Sequence, residues 1–352
     1  MPIWDAYPND YRATEVSIIC AATRAGDCVA VVGLSGAGKS NLLGFLAHRV
    51  TSPPVRFHLA DCNRLTQKTP SAILRLIRQA LGEVTPAADE LAALDQALAA
   101  YFAKQTDILS VLLDLSGLTL GDADQELLNN LRALRDAYKY QLTFVIAARR
   151  PLPLHNEFAE LILAHTLWLG ALSASDAHWS ARQFATRQAL SWDDALIARL
   201  IEFSRGYPSF LRAACEAHAA GAPLAELATH PAVQKRLEEF WHDGPSAEAL
   251  RQAGLADHPW LTRPADAPFT QTSFTAKEQR LIAYLTAHPN TVCEKDDLIQ
   301  AVWPEDHAAG RGGRDDSLAQ LVRRVREKIE PDPAQPHRLL TVPGRGYRYH
   351  AP

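Results

Sequence analysis

At 352 residues the chain exceeds the size at which one core usually stops growing, so two or three domains are expected. Hydrophobic residues make up 47%, charged residues 22%, and the formal net charge is -4: an ordinary globular balance in which nothing global announces nucleic acid. The five cysteines (Cys20, Cys28, Cys62, Cys215, Cys293) form no C-x-x-C pair, which argues against a zinc site or a disulfide framework and fits a reducing compartment. The thirteen histidines are dispersed, with no H-E-x-x-H, so no metal held by protein ligands alone is expected. The N-terminus has neither the basic start nor the apolar run of a signal peptide, and no stretch of about eighteen apolar residues occurs. A cytoplasmic protein without membrane contact is expected.

From residue 28 to about 170, apolar runs alternate with helical patterns. CVAVV, VRFHLA, ILSVLLDL and LTFVIAA read as strands, separated by stretches such as SAILRLIRQAL and QELLNNLRALRDAY. That alternation predicts a parallel α/β domain over 1–170. From 171 to 255 the strand-like runs give way to periodic helices, among them DDALIARLIEFSR and PAVQKRLEEFW, so a helical domain is expected there. The proline-rich DHPWLTRPADAP then marks a linker over 256–267, and 268–352 is expected to form a further unit.

The run CVAVVGLSGAGKSNLLGFL contains G-x-x-x-x-G-K-S, with Gly33, Gly38, Lys39 and Ser40 at the fixed positions, after an apolar strand and before an amphipathic helix. Glycines let the backbone N–H groups curl around phosphates, and the helix N-terminus adds a favourable dipole. Gly33, Ser35, Gly36, Gly38, Lys39, Ser40 and Asn41 are the expected nucleotide-binding residues. Lys39 is expected to reach the β- and γ-phosphates, and the Ser40 hydroxyl to complete a magnesium shell. The strand ILSVLLD ends in Asp114, the expected second magnesium ligand. Leu115 follows it, an apolar residue where an acid would polarise the attacking water, so hydrolysis of ATP is expected to be slow. The strand LTFVIAARR ends in Arg149 and Arg150. Strand C-terminal ends surround the ligand in a parallel sheet, and the spacing fits equally a γ-phosphate contact or a basic pair on an exposed turn.

The ordered series GLSGAGKS, VLLDLS, VIAARR, LGALSASDA and GYPSFL resembles the STAND branch of P-loop signalling ATPases, related to the AAA+ group, over residues 8 to 220. The resemblance implies that Arg149 senses the γ-phosphate alongside the catalytic Lys39 and Asp114. It also implies that Pro208 touches adenine and that ATP and ADP with Mg2+ act as a switch.

In the last segment, Thr275 and Glu278 form a T-x-x-E capping box before an amphipathic helix, and Pro289 ends it. A short second helix carries Leu298, Ile299, Val302 and Trp303. After the glycine-rich HAAGRGGRDD, a third helix, SLAQLVRRVREKIE, aligns Leu318, Leu321, Val322, Val325 and Ile329 on one face. Gln320, Arg323 and Arg324 project opposite, with Arg326 and Lys328 on the flanks. LLTVPGRGYRYH reads as a hairpin with Arg345 at its tip.

T-A-K-E, D-L-I-Q-A-V-W, V-R-R-V-R-E-K-I-E and T-V-P-G-R-G-Y-R resemble the output domain of OmpR/PhoB-type response regulators, over about 268 to 350. That family sets its third helix in the DNA major groove and its wing in the minor groove. The implied DNA-binding residues are therefore Gln320, Arg323, Arg324, Arg326, Lys328 and Arg345. The loop before the third helix, which in the family touches RNA polymerase, is longer here. The expected whole is a multidomain α/β chain: a P-loop NTPase parallel-sheet domain, a helical lid domain and a C-terminal winged helix-turn-helix. A nucleotide-switched transcription regulator that self-associates on duplex DNA fits this organisation. A signalling or defence ATPase whose winged helix binds protein is the alternative.

Overall fold

The computed structural model describes residues 3–117, 125–150, 165–242, 244–258, 261, 274–303, 312–330, 336–343 and 345–350. The chain divides into two compact units, one of Met1–Glu238 with Ala247–Leu261, the other of Glu239–Ser246 with Thr262–Pro352.

In the first unit the four apolar runs are the strands β1 (Val29–Val32), β2 (Val55–Ala60), β3 (Ile108–Asp114) and β4 (Leu142–Ala148). A fifth, β5 (Thr166–Trp168), was not anticipated. All pairings are parallel, in the order β2-β3-β4-β1-β5. Every residue of β1 and β4 is buried, as expected for a parallel sheet covered on both faces. The covering helices are α1 (Ala13–Arg24), α2 (Lys39–Arg49), α3 (Pro70–Ala80), α4 (Glu90–Phe102) and α5 (Gln125–Ala137). Ile73 and Ile77 of α3, Leu94 and Leu98 of α4, and Leu128 and Leu131 of α5 share one core with Leu109, Val111 and Phe144 of the sheet. Side chains start these helices: Thr69 Oγ1 accepts from Ala72 N at 3.2 Å, and Asp89 Oδ1 accepts from Leu91 N and Ala92 N, each at 3.0 Å.

Beyond β5 the unit is helical, as the periodicity predicts: α6 (Ala174–Arg187), α7 (Asp194–Ser204), α8 (Pro208–Ala219), α9 (Pro231–His242) and α10 (Ala247–Gln252). Pro208 occupies the first turn of α8, where its missing N–H costs no hydrogen bond and its fixed φ suits the helix. The N-terminal segment is held by aromatic packing on α2. Trp4 stacks on His48 with ring centroids 5.7 Å apart, and its ring lies 2.2 Å from where a Cβ on Gly44 would be.

The second unit contains α11 (Ala276–Ala287), β6 (Val292–Glu294), α12 (Lys295–Val302), α13 (Gly312–Ile329), β7 (Leu339–Val342) and β8 (Gly346–Tyr349). The capping box forms in both directions, Glu278 Oε2 accepting from Thr275 N at 2.7 Å and Thr275 Oγ1 accepting from Glu278 N at 3.4 Å. Leu318, Leu321, Val322, Val325 and Ile329 are at most 1% exposed and pack with Leu281, Leu285 and Leu298.

Two features of this unit differ from the sequence expectation. The hairpin gains β6 on the β8 side, giving an antiparallel sheet ordered β6-β8-β7. The third helix begins at Gly312, inside the stretch expected as loop. Residues 304–311, which include most of the expected polymerase-contact loop, lie outside the described residues, as does most of the expected linker 256–267.

Candidate functional site

The glycine-rich loop leaves the C-terminal end of β1 and enters α2. Gly38 is the helix N-cap with φ of +90°, a left-handed conformation that favours glycine and aims the first-turn N–H groups into the loop. Lys39 is 6% exposed, and its ammonium donates to Gly33 O at 2.6 Å and Leu34 O at 3.0 Å. A buried cation inside a ring of backbone is placed for anionic phosphate. Ser35 is half-buried and Asn41 exposed, on either side of that turn.

Asp114 ends β3, two strands away from β1, yet its carboxylate meets the loop: Ser40 Oγ donates to Asp114 Oδ2. Ser116 N donates to Oδ1 at 3.0 Å, and Asn63 Nδ2 donates to Oδ2 at 3.2 Å. Burial alone would raise the Asp114 pKa, but the hydrogen bonds from Ser40, Ser116 and Asn63 outweigh it and hold the carboxyl below its usual range. An ionised carboxylate touching a serine hydroxyl is an oxygen donor set for a hard cation such as Mg2+. The two expected ligands are therefore together, and the residues fit a magnesium nucleotide. Leu115 is 1% exposed, its side chain in the sheet core, so the position after Asp114 serves packing.

Arg149 and Arg150 lie at the exit of β4, both exposed, next to the exits of β1 and β3. Pro208 Cγ lies 3.6 Å from where a Cβ on Gly38 would be, so the first turn of α8 covers the loop.

Two residues at this site escaped the sequence reading. Asn63 follows β2 and contacts Asp114 across 51 residues of chain, with no motif to mark it. Arg12, 2% exposed and with φ of +49°, reaches from the start of α1 to Ala37 O and Gly170 O, each at 3.0 Å, while its own N–H donates to Asp176 Oδ2 at 3.1 Å. A charged side chain in a buried pattern, YRATEVSIIC, was the available signal.

In the second unit Gln320, Arg323 and Arg324 are exposed on α13. Arg326 is otherwise engaged. Its Nε donates to Leu339 O at 2.9 Å and its Nη2 to Thr341 Oγ1 at 2.7 Å, with the guanidinium 6.0 Å from the Tyr347 ring centroid. One turn later, Glu330 accepts from the N–H groups of His337 at 3.0 Å, Arg338 at 2.9 Å and Leu339 at 2.7 Å. Both backbone polar groups of Leu339 are thus held by side chains of α13 and of the residue that follows it, and the hairpin is fixed to the end of the helix. Arg345, exposed between β7 and β8, donates through Nη2 to Glu294 Oε1 at 2.6 Å. The Lys328 side chain lies outside the described residues.

A family model described as AAA domain matches residues 23–152, and one described as Transcriptional regulatory protein, C terminal, matches residues 270–349. The chain carries an AAA P-loop domain and a C-terminal OmpR/PhoB-type regulator domain. Through the regulator domain it is similar to a probable transcriptional regulatory protein of Picosynechococcus, 38% identical over 79 residues, 22% of this chain and 30% of that protein. YvrH of Bacillus subtilis, a transcriptional regulatory protein, is 36% identical over 75 residues, 21% of this chain and 30% of its own. The chain thus spans about a third of the length of these relatives. Among solved structures, a Walker-type ATPase of Pyrococcus abyssi matches with a TM-score of 0.45 and 13% identity, covering 96% of this chain and 92% of that one. No described helix is long and apolar enough to cross a membrane.

Proposed function

We propose that this chain is a cytoplasmic transcription regulator whose AAA domain binds ATP or ADP with Mg2+ and whose C-terminal domain binds duplex DNA, nucleotide state setting the DNA-bound assembly. The observation that carries this reading is the pairing of Ser40 with Asp114 beside the buried Lys39, in the same chain as a regulator domain. The bound nucleotide supplies phosphates and, with its magnesium, an electrostatic centre. Lys39 and the first-turn N–H groups of α2 would bind the phosphates, Ser40 and Asp114 would hold the ion, and Arg149 would approach the terminal phosphate from the exit of β4. With Leu115 in the core, the position after Asp114 offers no base to orient water, so the nucleotide serves as a signal with slow turnover.

In the DNA-binding domain, Gln320, Arg323 and Arg324 face the major groove, and Arg345 approaches the phosphates or the minor groove. Arg326 contributes by holding the hairpin in register with α13. Because one such domain makes few base contacts, tight binding requires two or more copies on repeated half-sites, and contact with RNA polymerase accompanies it.

The test is retardation of duplex DNA from around the chain's own gene by the full-length protein with no nucleotide, ADP or ATP. Sequence-selective binding whose affinity or stoichiometry changes with nucleotide is expected. Selective binding indifferent to nucleotide overturns the switch, and failure to select any sequence overturns the DNA reading.

A further inference from the structure

Each carbonyl of the phosphate loop from Gly33 to Gly38 accepts a hydrogen bond, and three of the donors come from outside the loop and its helix. Gly33 O and Leu34 O take Lys39 Nζ, and Gly38 O takes Leu42 N at 3.0 Å. Between them, Ser35 O accepts from the Tyr207 hydroxyl at 2.8 Å, Gly36 O from Ser209 N at 3.2 Å and Ala37 O from Arg12 Nη2 at 3.0 Å. A peptide carbonyl and the N–H that follows it lie in one rigid plane, on opposite edges. Fixing the carbonyls of Ser35 and Ala37 therefore fixes the direction of the Gly36 and Gly38 N–H groups, which a phosphate oxygen must meet.

The fit at this point is close. Gly36 has φ of +80°, and a Cβ there would lie 2.1 Å from Ser209 Oγ and 2.4 Å from Ser209 Cβ. Tyr207 is 0% exposed, so its hydroxyl reaches the loop from inside the packing of the helical region. A glycine at this position is needed by the turn entering α8 as much as by any phosphate.

We infer that the Tyr207–Ser209 turn is a positioning element for the phosphate loop, through which bound nucleotide and the docking of α8 strengthen one another. The inference rests on the nucleotide reading above and deepens it. Tyr207 and Ser209 act through the loop peptides; they are positioning residues, with no contact to the nucleotide required of them. Because coupling between two equilibria is reciprocal, a loop held by α8 binds nucleotide more tightly, and nucleotide on the loop holds α8 more firmly, by the same factor.

The experiment uses the full chain with MgADP, reading affinity by calorimetry and the docking of α8 by hydrogen exchange of its amides with and without MgADP. In the wild type, MgADP is expected to slow exchange in the first turns of α8. Tyr207→Phe removes one hydroxyl and keeps the ring. It is expected to weaken MgADP about three- to tenfold, roughly the span of one net hydrogen bond, and to shrink the MgADP-induced protection of α8 by a similar factor. Gly36→Ala is expected to weaken MgADP more than about tenfold and to raise α8 exchange; adding Ser209→Gly, which removes the clashing atoms but not the strain of an alanine at φ of +80°, is expected to restore α8 protection in part.

A purely packing role for Tyr207 predicts that Tyr207→Phe raises α8 exchange equally with and without MgADP, at unchanged affinity; that result, or no restoration by Ser209→Gly, overturns the inference while leaving nucleotide binding intact. Failure of the wild type to bind MgADP removes the nucleotide reading and this inference with it.

Discussion

Removal of the Glu330 carboxylate should loosen the hairpin of the regulator domain without touching any residue expected to meet DNA. Glu330 is 5% exposed and accepts three backbone N–H groups, those of His337, Arg338 and Leu339. In Glu330→Ala the first two groups turn to water, since His337 is exposed and Arg338 half-buried. The Leu339 N–H has no such outlet, because Leu339 is 0% exposed. A buried donor left without an acceptor costs about 1–3 kcal/mol, and two more exposed charge-assisted bonds add about 0.5 kcal/mol each. The expected loss is about 2–4 kcal/mol, against a total of roughly 5–10 kcal/mol for a unit of this size. Glu330→Gln, which keeps one acceptor oxygen, should lose about half as much. Hydrogen exchange across β7 and β8 of the full chain, combined with thermal unfolding, reads the effect. A shift under about 0.5 kcal/mol for Glu330→Ala, with β7 and β8 protected as in the wild type, would refute the view that the carboxylate fixes the hairpin to α13.

Lys39→Ala should abolish nucleotide binding, and calorimetry showing equal affinity in wild type and variant would remove the phosphate-loop assignment. Steady-state hydrolysis should fall well below the ~10 per second typical of enzymes, and a rate at that level would mean that a residue elsewhere in the site supplies the base that the position after Asp114 lacks. Arg323→Ala should leave stability unchanged and weaken selective DNA binding by roughly 1–3 kcal/mol, whereas Arg326→Ala should destabilise the domain by about 1–2 kcal/mol; the reverse pattern in melting and binding titrations would exchange their roles. His258 is 5% exposed, and burial, with the nearby Arg205 charge, pushes its pKa down from the usual 6.5 to about 4. A depressed imidazole pKa means that the unfolded chain binds the extra proton, so the first unit should keep its full stability above about pH 6.5 and lose up to about 1.4 kcal/mol per pH unit between there and about pH 4. His258→Gln should flatten that slope, and an unchanged slope in denaturant titrations would assign the pH dependence to other groups.

The architecture could be read from the sequence where local pattern and tertiary role agree. Four strands announce themselves as apolar runs, and Thr275 with Glu278 closes its capping box as spaced. β5 and β6 were not legible because each is three residues long and becomes a strand only by pairing, β5 with β1 and β6 with β8. Helical spacing placed Arg326 on the flank of α13 but carried no information about the hairpin that takes up its guanidinium. The same limit hid Asn63, whose contact with Asp114 depends on β2 lying beside β3, and Arg12, whose partners are 25 and 158 residues away.

The hydrogen bond that Ser40 gives Asp114 also aims the hydroxyl: with its proton committed to the carboxylate, the oxygen keeps its lone pairs for another partner. The pairing works as a rotor lock. A cation arriving with phosphate oxygens would find the serine oxygen with its proton already turned away, and loss of the Asp114 carboxylate would release the hydroxyl to rotate as well as remove a ligand.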